Sequence, residues 1–211
     1  MIRGLEPGRR AALIINEMQR GTIADGSDFP ALVEQVNQRG IIAKIAGLAE
    51  AFRTLGLPVI HTHIAHRPDY ADLPVTNLIM ARSRKNGRQK IGSIDAMPVT
   101  GLVPAPGDIV HLRGYSLIAF HGTDLDTRLR HRGIQTVVVA GVSTNVAIQG
   151  LALAASDLGY QVLVPEDCTA GASAETHEFA VKILLPLYST LTSSGQIIEA
   201  LAARKGSPDH R

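Results

Sequence analysis

The sequence predicts an α/β fold of three layers, a six-stranded parallel sheet covered by helices on both faces, and three observations predict it. Residues 136–140 (TVVVA) are a β-branched run of the kind buried on both sides of a parallel sheet. Gly141 breaks the run and Ser143, Thr144 and Asn145 supply small polar residues of the type that cap a helix. Ile148, Leu151, Ala155 and Leu158 then recur at helical spacing as far as Gly159. Apolar runs and amphipathic stretches alternate in this way along the chain, the pattern of strand–helix–strand units. A strand feeding a helix through a short polar turn leaves backbone N–H groups beside the carboxyl end of the sheet. Open α/β folds bind ligands and stabilise negative charge there, so the candidate site lies above Gly141.

The elements follow in order. Residues 11–15 (AALII) form a central strand that ends on Asn16, Glu17, Met18 and Gln19; charged residues at the tip of a buried strand are uncommon unless paired or used. Residues 21–30 read as a Gly, Asp and Ser-rich loop. A helix over 41–55 carries Ile41, Ile45, Leu48, Phe52 and Leu55 on one face and stops at Gly56. Residues 57–64 (LPVIHTHI) are the second strand, with His61 and His63 on one side of it. Residues 67–107 read as long and irregular, with a basic cluster of Arg82, Arg84, Lys85, Arg88 and Lys90. Strands follow at 108–113, 134–140, 161–164 and 187–191. Helices fall at 123–132, 173–185 and 194–203, and 206–211 is a frayed tail.

Composition narrows the function. The 211 residues, 45% hydrophobic, suit one α/β domain over 1–211 with its core at about 10–203, and neither a repeat nor a linker divides them. Twenty-one Lys and Arg against 19 Asp and Glu give a net charge of +2, too small and too dispersed for a nucleic-acid binder. The one cysteine, Cys168, excludes an internal disulfide, suits a reducing cytoplasm and reads as a buried packing residue. The opening MIRGLEPGRR lacks an apolar core of signal-peptide length, and no stretch spans a bilayer. The expectation is a cytoplasmic protein acting on a small molecule, with no membrane or nucleic-acid partner.

Three passages carry a resemblance to a known family: ALIINEMQRG, AFHGTDLDTRLRHRGIQTVVVAGVSTNVAI and GYQVLVPEDCTAGASAETHEFAV. They resemble the isochorismatase-like superfamily, which includes the cysteine hydrolases. The resemblance implies a Rossmann-like sheet without a dinucleotide fingerprint, and a homo-oligomer (dimer or tetramer). It also shows a degenerate catalytic triad. The family's cysteine hydrolases use Asp, Lys and Cys; the matching residues are Glu17, Arg113 (counted along the strand from Asp108) and Ala147. The resemblance further implies a cis peptide between Val142 and Ser143, with the amides of Ser143 and Ala147 forming an oxyanion hole. Asn16, His61, His63, Tyr115 and Asn145 are assigned to the substrate pocket.

Alanine at 147 cannot form the covalent intermediate a thiolate would, and arginine can anchor an anion but not shuttle a proton. Glu17 keeps acid–base capacity. Isochorismatases resemble this pattern in lacking the Cys, their acidic residue protonating a vinyl ether so that water completes the cleavage. The chain is thus expected to hydrolyse a small anionic metabolite by Glu17 acid–base catalysis, with no cofactor. Water-mediated amide hydrolysis and a catalytically inactive ligand-binding or assembly protein are the alternatives. Ser143 and Thr144 are conceivable nucleophiles, but no histidine partner is identifiable from spacing, and capping is the expected role. His61, His63 and His66 invite a metal reading, set against histidines lining a polar cleft; no metal is assigned. The basic cluster is expected to be solvated unless its loop closes over the site.

Overall fold

The computed structural model describes residues 2–205, so the tail expected at 206–211 lies outside them. Its strands are β1 (Ala11–Asn16), β2 (Val59–Ile64), β3 (Ile109–Arg113), β4 (Thr136–Val142), β5 (Gln161–Pro165), β6 (Thr169–Ala170) and β7 (Thr190–Thr192). Its helices are α1 (Arg20–Ile23), α2 (Pro30–Arg39), α3 (Ile41–Thr54), α4 (Leu78–Lys85), α5 (Leu125–Arg130), α6 (Gln149–Asp157), α7 (Ala174–Phe179) and α8 (Ser194–Lys205). The sheet runs β3-β2-β1-β4-β5-β7 and every pairing is parallel. It has seven strands rather than six, because the two-residue β6 pairs beside the end of β4. A strand that short carries no periodic signal.

Strand β1 is buried at every residue because β2 and β4 flank it and helices cover both faces. Leu13 and Ile15 join one apolar cluster with Ile45, Leu48 and Phe52 of α3 and Ile197 and Leu201 of α8. Ala12 and Ile14 face the other, with Leu125 and Leu129 of α5 and Leu151 and Ala155 of α6. At the carboxyl end β4 presses so close to β1 that a Cβ on Gly141 would lie 2.2 Å from the Asn16 carbonyl oxygen. The φ of +113° there also demands glycine.

Three helices stand where irregular chain was expected. Helix α1 and the start of α2 fall in the 21–30 segment, and α4 lies within 67–107. Helix α2 begins with Pro30 in its first turn and ends at Gly40, left-handed at φ 61°. Helix α4 is capped by the Asn77 side chain, which accepts from the Met80 amide at 3.0 Å. The helix expected over 173–185 is regular only through α7 and continues as a wide π turn over Ala180–Leu184. Among the described residues, no helix is long and apolar enough to cross a membrane.

Candidate active site

The carboxyl ends of β1 and β4 open onto a cleft of about 370 Å³. Glu17 enters it from the tip of β1, Ser143, Asn145 and Ala147 from the turn after β4, Phe29 from the start of α2, and Arg82 and Ser83 from α4. The cleft therefore forms at the switch between strands running to opposite sides of the sheet, where such folds take ligands.

Glu17 has a φ of 56°, a left-handed conformation uncommon for a residue with a side chain. Its amide donates to the Thr62 carbonyl at 2.9 Å. Two residues on, Gln19 bonds both the amide and the carbonyl of Ile64, at 2.7 and 2.8 Å, which fixes the bend. The carboxylate takes a hydrogen bond and ion pair from the Arg113 guanidinium at the end of β3. Burial pushes the Glu17 carboxyl above the usual carboxylate range, opposed by Arg113 and by the Asn16 side chain. Arg113 is itself 3% exposed and also donates to the carbonyls of Ser116, at 2.8 Å, and Leu117, at 3.3 Å.

On the opposite wall the Val142–Ser143 peptide is cis, as the resemblance implies. Residues Thr144–Ile148 form a single π turn, in which the Ser143 carbonyl takes the amides of Val146 and Ile148, at 3.2 and 3.0 Å. The capping expected of Ser143 is corrected: its hydroxyl makes no cap bond. Asn145 instead accepts from the Ala172 amide at 3.0 Å, tying the turn to the segment before α7. Thr144 is fully buried, its hydroxyl 2.9 Å from His177 Nδ1, and His177 Nε2 lies 3.4 Å from Glu166. Sequence spacing did not supply this histidine partner. With Thr144 walled off from the cleft, the pair clamps the π turn rather than attacking a ligand. Thr144→Val is expected to cost about 1–3 kcal/mol, the penalty of an orphaned buried nitrogen on His177, read from urea unfolding.

Of the remaining residues assigned to the pocket, four stand outside it. Asn16 lies beneath the cis peptide, donating to the Val142 carbonyl and accepting from the Thr62 hydroxyl, each at 2.7 Å. His61 points to the α3 side, where Nε2 meets Asp108 at 3.0 Å and Arg53 holds the same carboxylate. His63 stands edge-on to His61 on that face, with ring centroids 5.9 Å apart, and burial pushes its pKa down to about 4. Tyr115 is 41% exposed and donates to the Gly122 carbonyl. For the two histidines the cause is strand parity: odd positions of β2 face α3, and Ile64 reaches the cleft in their place.

The three histidines do not fit a metal ligand set. His61 is committed to Asp108, and His66 has both nitrogens bonded, to the Gly114 carbonyl at 2.6 Å and to Ser83 Oγ at 3.1 Å. Among the described residues no cluster of three or more His, Cys, Asp or Glu side chains could hold an ion. The basic cluster divides. Arg82, Arg84 and Lys85 are exposed, Arg82 at the cleft with its guanidinium 5.6 Å from the Phe29 ring centroid, whereas Arg88 is half-buried and pairs with Asp28 at 3.1 Å there. Cys168 is fully buried and its thiol is pushed up to about 12, chiefly by burial. The folded protein is expected to resist iodoacetamide at neutral pH and to gain one adduct only in denaturant, a difference visible by intact mass.

Residues 11–196 match the isochorismatase domain. The chain is 28% identical over 200 residues to YecD of Escherichia coli O157:H7, an uncharacterized isochorismatase family protein, covering 92% of this chain and 97% of that one. It is 28% identical over 176 residues to the maleamate amidohydrolase of Pseudomonas putida, covering 81% and 77%. The crystal structure of an isochorismatase family protein from Desulfovibrio vulgaris superposes with a TM-score of 0.81 at 28% identity, over 92% of this chain and all of that one. With a domain match that includes β1, β4 and the cleft between them, the chain belongs to the isochorismatase-like hydrolase family.

Proposed function

We propose that the protein hydrolyses a small anionic metabolite without a cysteine nucleophile, Glu17 serving as the acid–base group. The observation that carries this reading is a buried carboxyl, held by the Arg113 guanidinium, lining the same cleft as Ala147, with burial pushing it above the usual carboxylate range. A raised pKa keeps the proton available nearer neutrality, as a general acid requires. When Glu17 gives that proton to the departing atom, the carboxylate left behind already faces Arg113, so the charge that develops meets a fixed guanidinium. The methyl group of Ala147 leaves room for a water molecule where a thiolate would stand. The left-handed backbone at Glu17 supports the same reading, because such a conformation on a residue with a side chain persists where surroundings enforce it, often at functional sites. Arg88 at the cleft is paired with Asp28, and Arg82, which lies there without an acidic partner among the described residues, favours an anionic substrate. The P. putida relative, by its name, acts on an amide.

The test is a panel of vinyl ethers, amides and ureas, each in anionic and neutral form, assayed beside a Glu17→Ala control. Turnover of an anionic member that is lost in the control supports the proposal. Thermal stabilisation by a panel member with no turnover by any would overturn it in favour of a ligand-binding protein.

A further inference from the structure

The cleft holds a second chemical constellation, contributed by α4 and the residues after β2, that goes beyond the Glu17 reading and does not rest on it. Ser83 lines the cleft, and its Oγ is 3.1 Å from His66 Nε2. On the other side of the ring His66 Nδ1 lies 2.6 Å from the Gly114 carbonyl oxygen. A carbonyl can only accept, so Nδ1 carries the proton, and Nε2 of the neutral ring presents a lone pair. The Ser83 hydroxyl is then the donor. Burial lowers the His66 pKa and keeps the ring neutral, which agrees with this assignment. A serine inside a helix points to solvent or bonds the carbonyl four residues back; Ser83 gives its proton to an imidazole instead.

We propose that Ser83 and His66 form a nucleophile–base pair that accepts an acyl group from carboxylic esters entering this cleft. The arrangement meets the requirements for an activated hydroxyl: a base within hydrogen-bond reach, and a third group that fixes the base's tautomer. Ser83 Oγ adds to the ester carbonyl carbon as its proton passes to His66 Nε2. Collapse breaks the bond to the alkoxy group, which leaves as the alcohol with that proton. Water, giving a proton to His66, then cleaves the acyl–serine bond, releases the carboxylic acid and restores Ser83. Asp72 and Asp95 favour the imidazolium formed on the way, and Arg113 disfavours it. Thr144 and His177 form a second hydroxyl–imidazole contact in the molecule. That hydroxyl–imidazole pair has similar geometry but is fully buried, whereas Ser83 opens onto the cleft beside Arg82.

The whole protein treated with an alkyl fluorophosphonate tests this without knowledge of the natural substrate. Attack forms the Oγ–P bond, expels fluoride and leaves the proton on His66. One adduct is expected, on Ser83 by peptide mapping, absent in Ser83→Ala and formed about 100-fold more slowly in His66→Gln. No adduct, an adduct on another residue, or a folded His66→Gln that labels at the wild-type rate overturns the proposal. Should His66→Gln fail to fold, Ser83→Cys keeps the imidazole in place and carries the test. Its thiol is expected to react with iodoacetamide well below the ordinary cysteine range of about 8.5, and a thiol that titrates as a free cysteine overturns the pair. Labelling does not involve Glu17 turnover, so its failure leaves the acid–base reading standing, and the reverse also holds.

Discussion

Replacing Arg113 with methionine is expected to lower the unfolding free energy by about 3–5 kcal/mol, because it strands the Glu17 carboxylate in a buried site. A domain of this kind has only about 5–15 kcal/mol in hand, so a fall in the urea midpoint is readily measured. The guanidinium also holds the Ser116 and Leu117 carbonyls, and Leu117 walls the cleft, so the local loop loosens as well. The loss carries a pH signature. Without Arg113 nothing offsets burial at Glu17 but the Asn16 side chain, and its pKa rises further above the unfolded value. The folded carboxyl then holds a proton that the unfolded one releases above about pH 4.3, so stability falls as pH rises through that window. The destabilisation is expected to be larger at pH 8 than at pH 5. Adding Glu17→Gln to Arg113→Met is expected to recover part of it. A variant as stable as the wild type at both pH values would show that the pair contributes nothing.

The second large effect is acid lability. Five buried histidines, His61, His63, His66, His111 and His177, have pKa values lowered chiefly by burial. His63 is pushed down to about 4. Between there and the unfolded value of about 6.5, the unfolded chain binds protons that the folded imidazoles refuse, so stability rises with pH across that window. His63 alone contributes on the order of 3 kcal/mol over it. Glu17, with its raised pKa, acts in the opposite sense, one group against five. Below this range the depressed carboxyls of Asp108 and Glu166 add further loss as they protonate. The urea midpoint is expected to fall from pH 7.5 to pH 4.5, and His63→Gln to flatten the slope. A midpoint that holds steady or rises on acidification would contradict the assignment of these rings as neutral.

The centre of the sheet is legible because β1 and β4 are buried on both faces, and burial writes unbroken apolar runs such as 11–15 and 136–140. Helices α2 and α4 are not, because each buries little: Leu32 and Val36 in the first, Met80 in the second. A stripe that thin leaves no period to read, although Pro30, Gly40 and Asn77 mark their ends. The site divided along the same line. Glu17, Ser143, Asn145 and Ala147 follow directly from the ends of β1 and β4, and the structure brings them to one cleft. Strand parity puts His61 and His63 on one face of β2, but parity alone does not say which face of the sheet meets the ligand. Ser83 was invisible, since its meeting with His66 exists only once α4 has folded against the residues after β2. Arg82 in α4 and Phe29 just before α2 reach the cleft by the same route.

The role of Glu17 is tested by kcat for the wild type and Glu17→Gln on a panel substrate, with and without prior iodoacetamide. Acid–base catalysis by Glu17 leads to a loss of about 100-fold or more in kcat with KM little changed, and to a wild type that the thiol reagent leaves untouched. A Glu17→Gln enzyme that turns over at the wild-type rate, or a wild type silenced by alkylation, would contradict it.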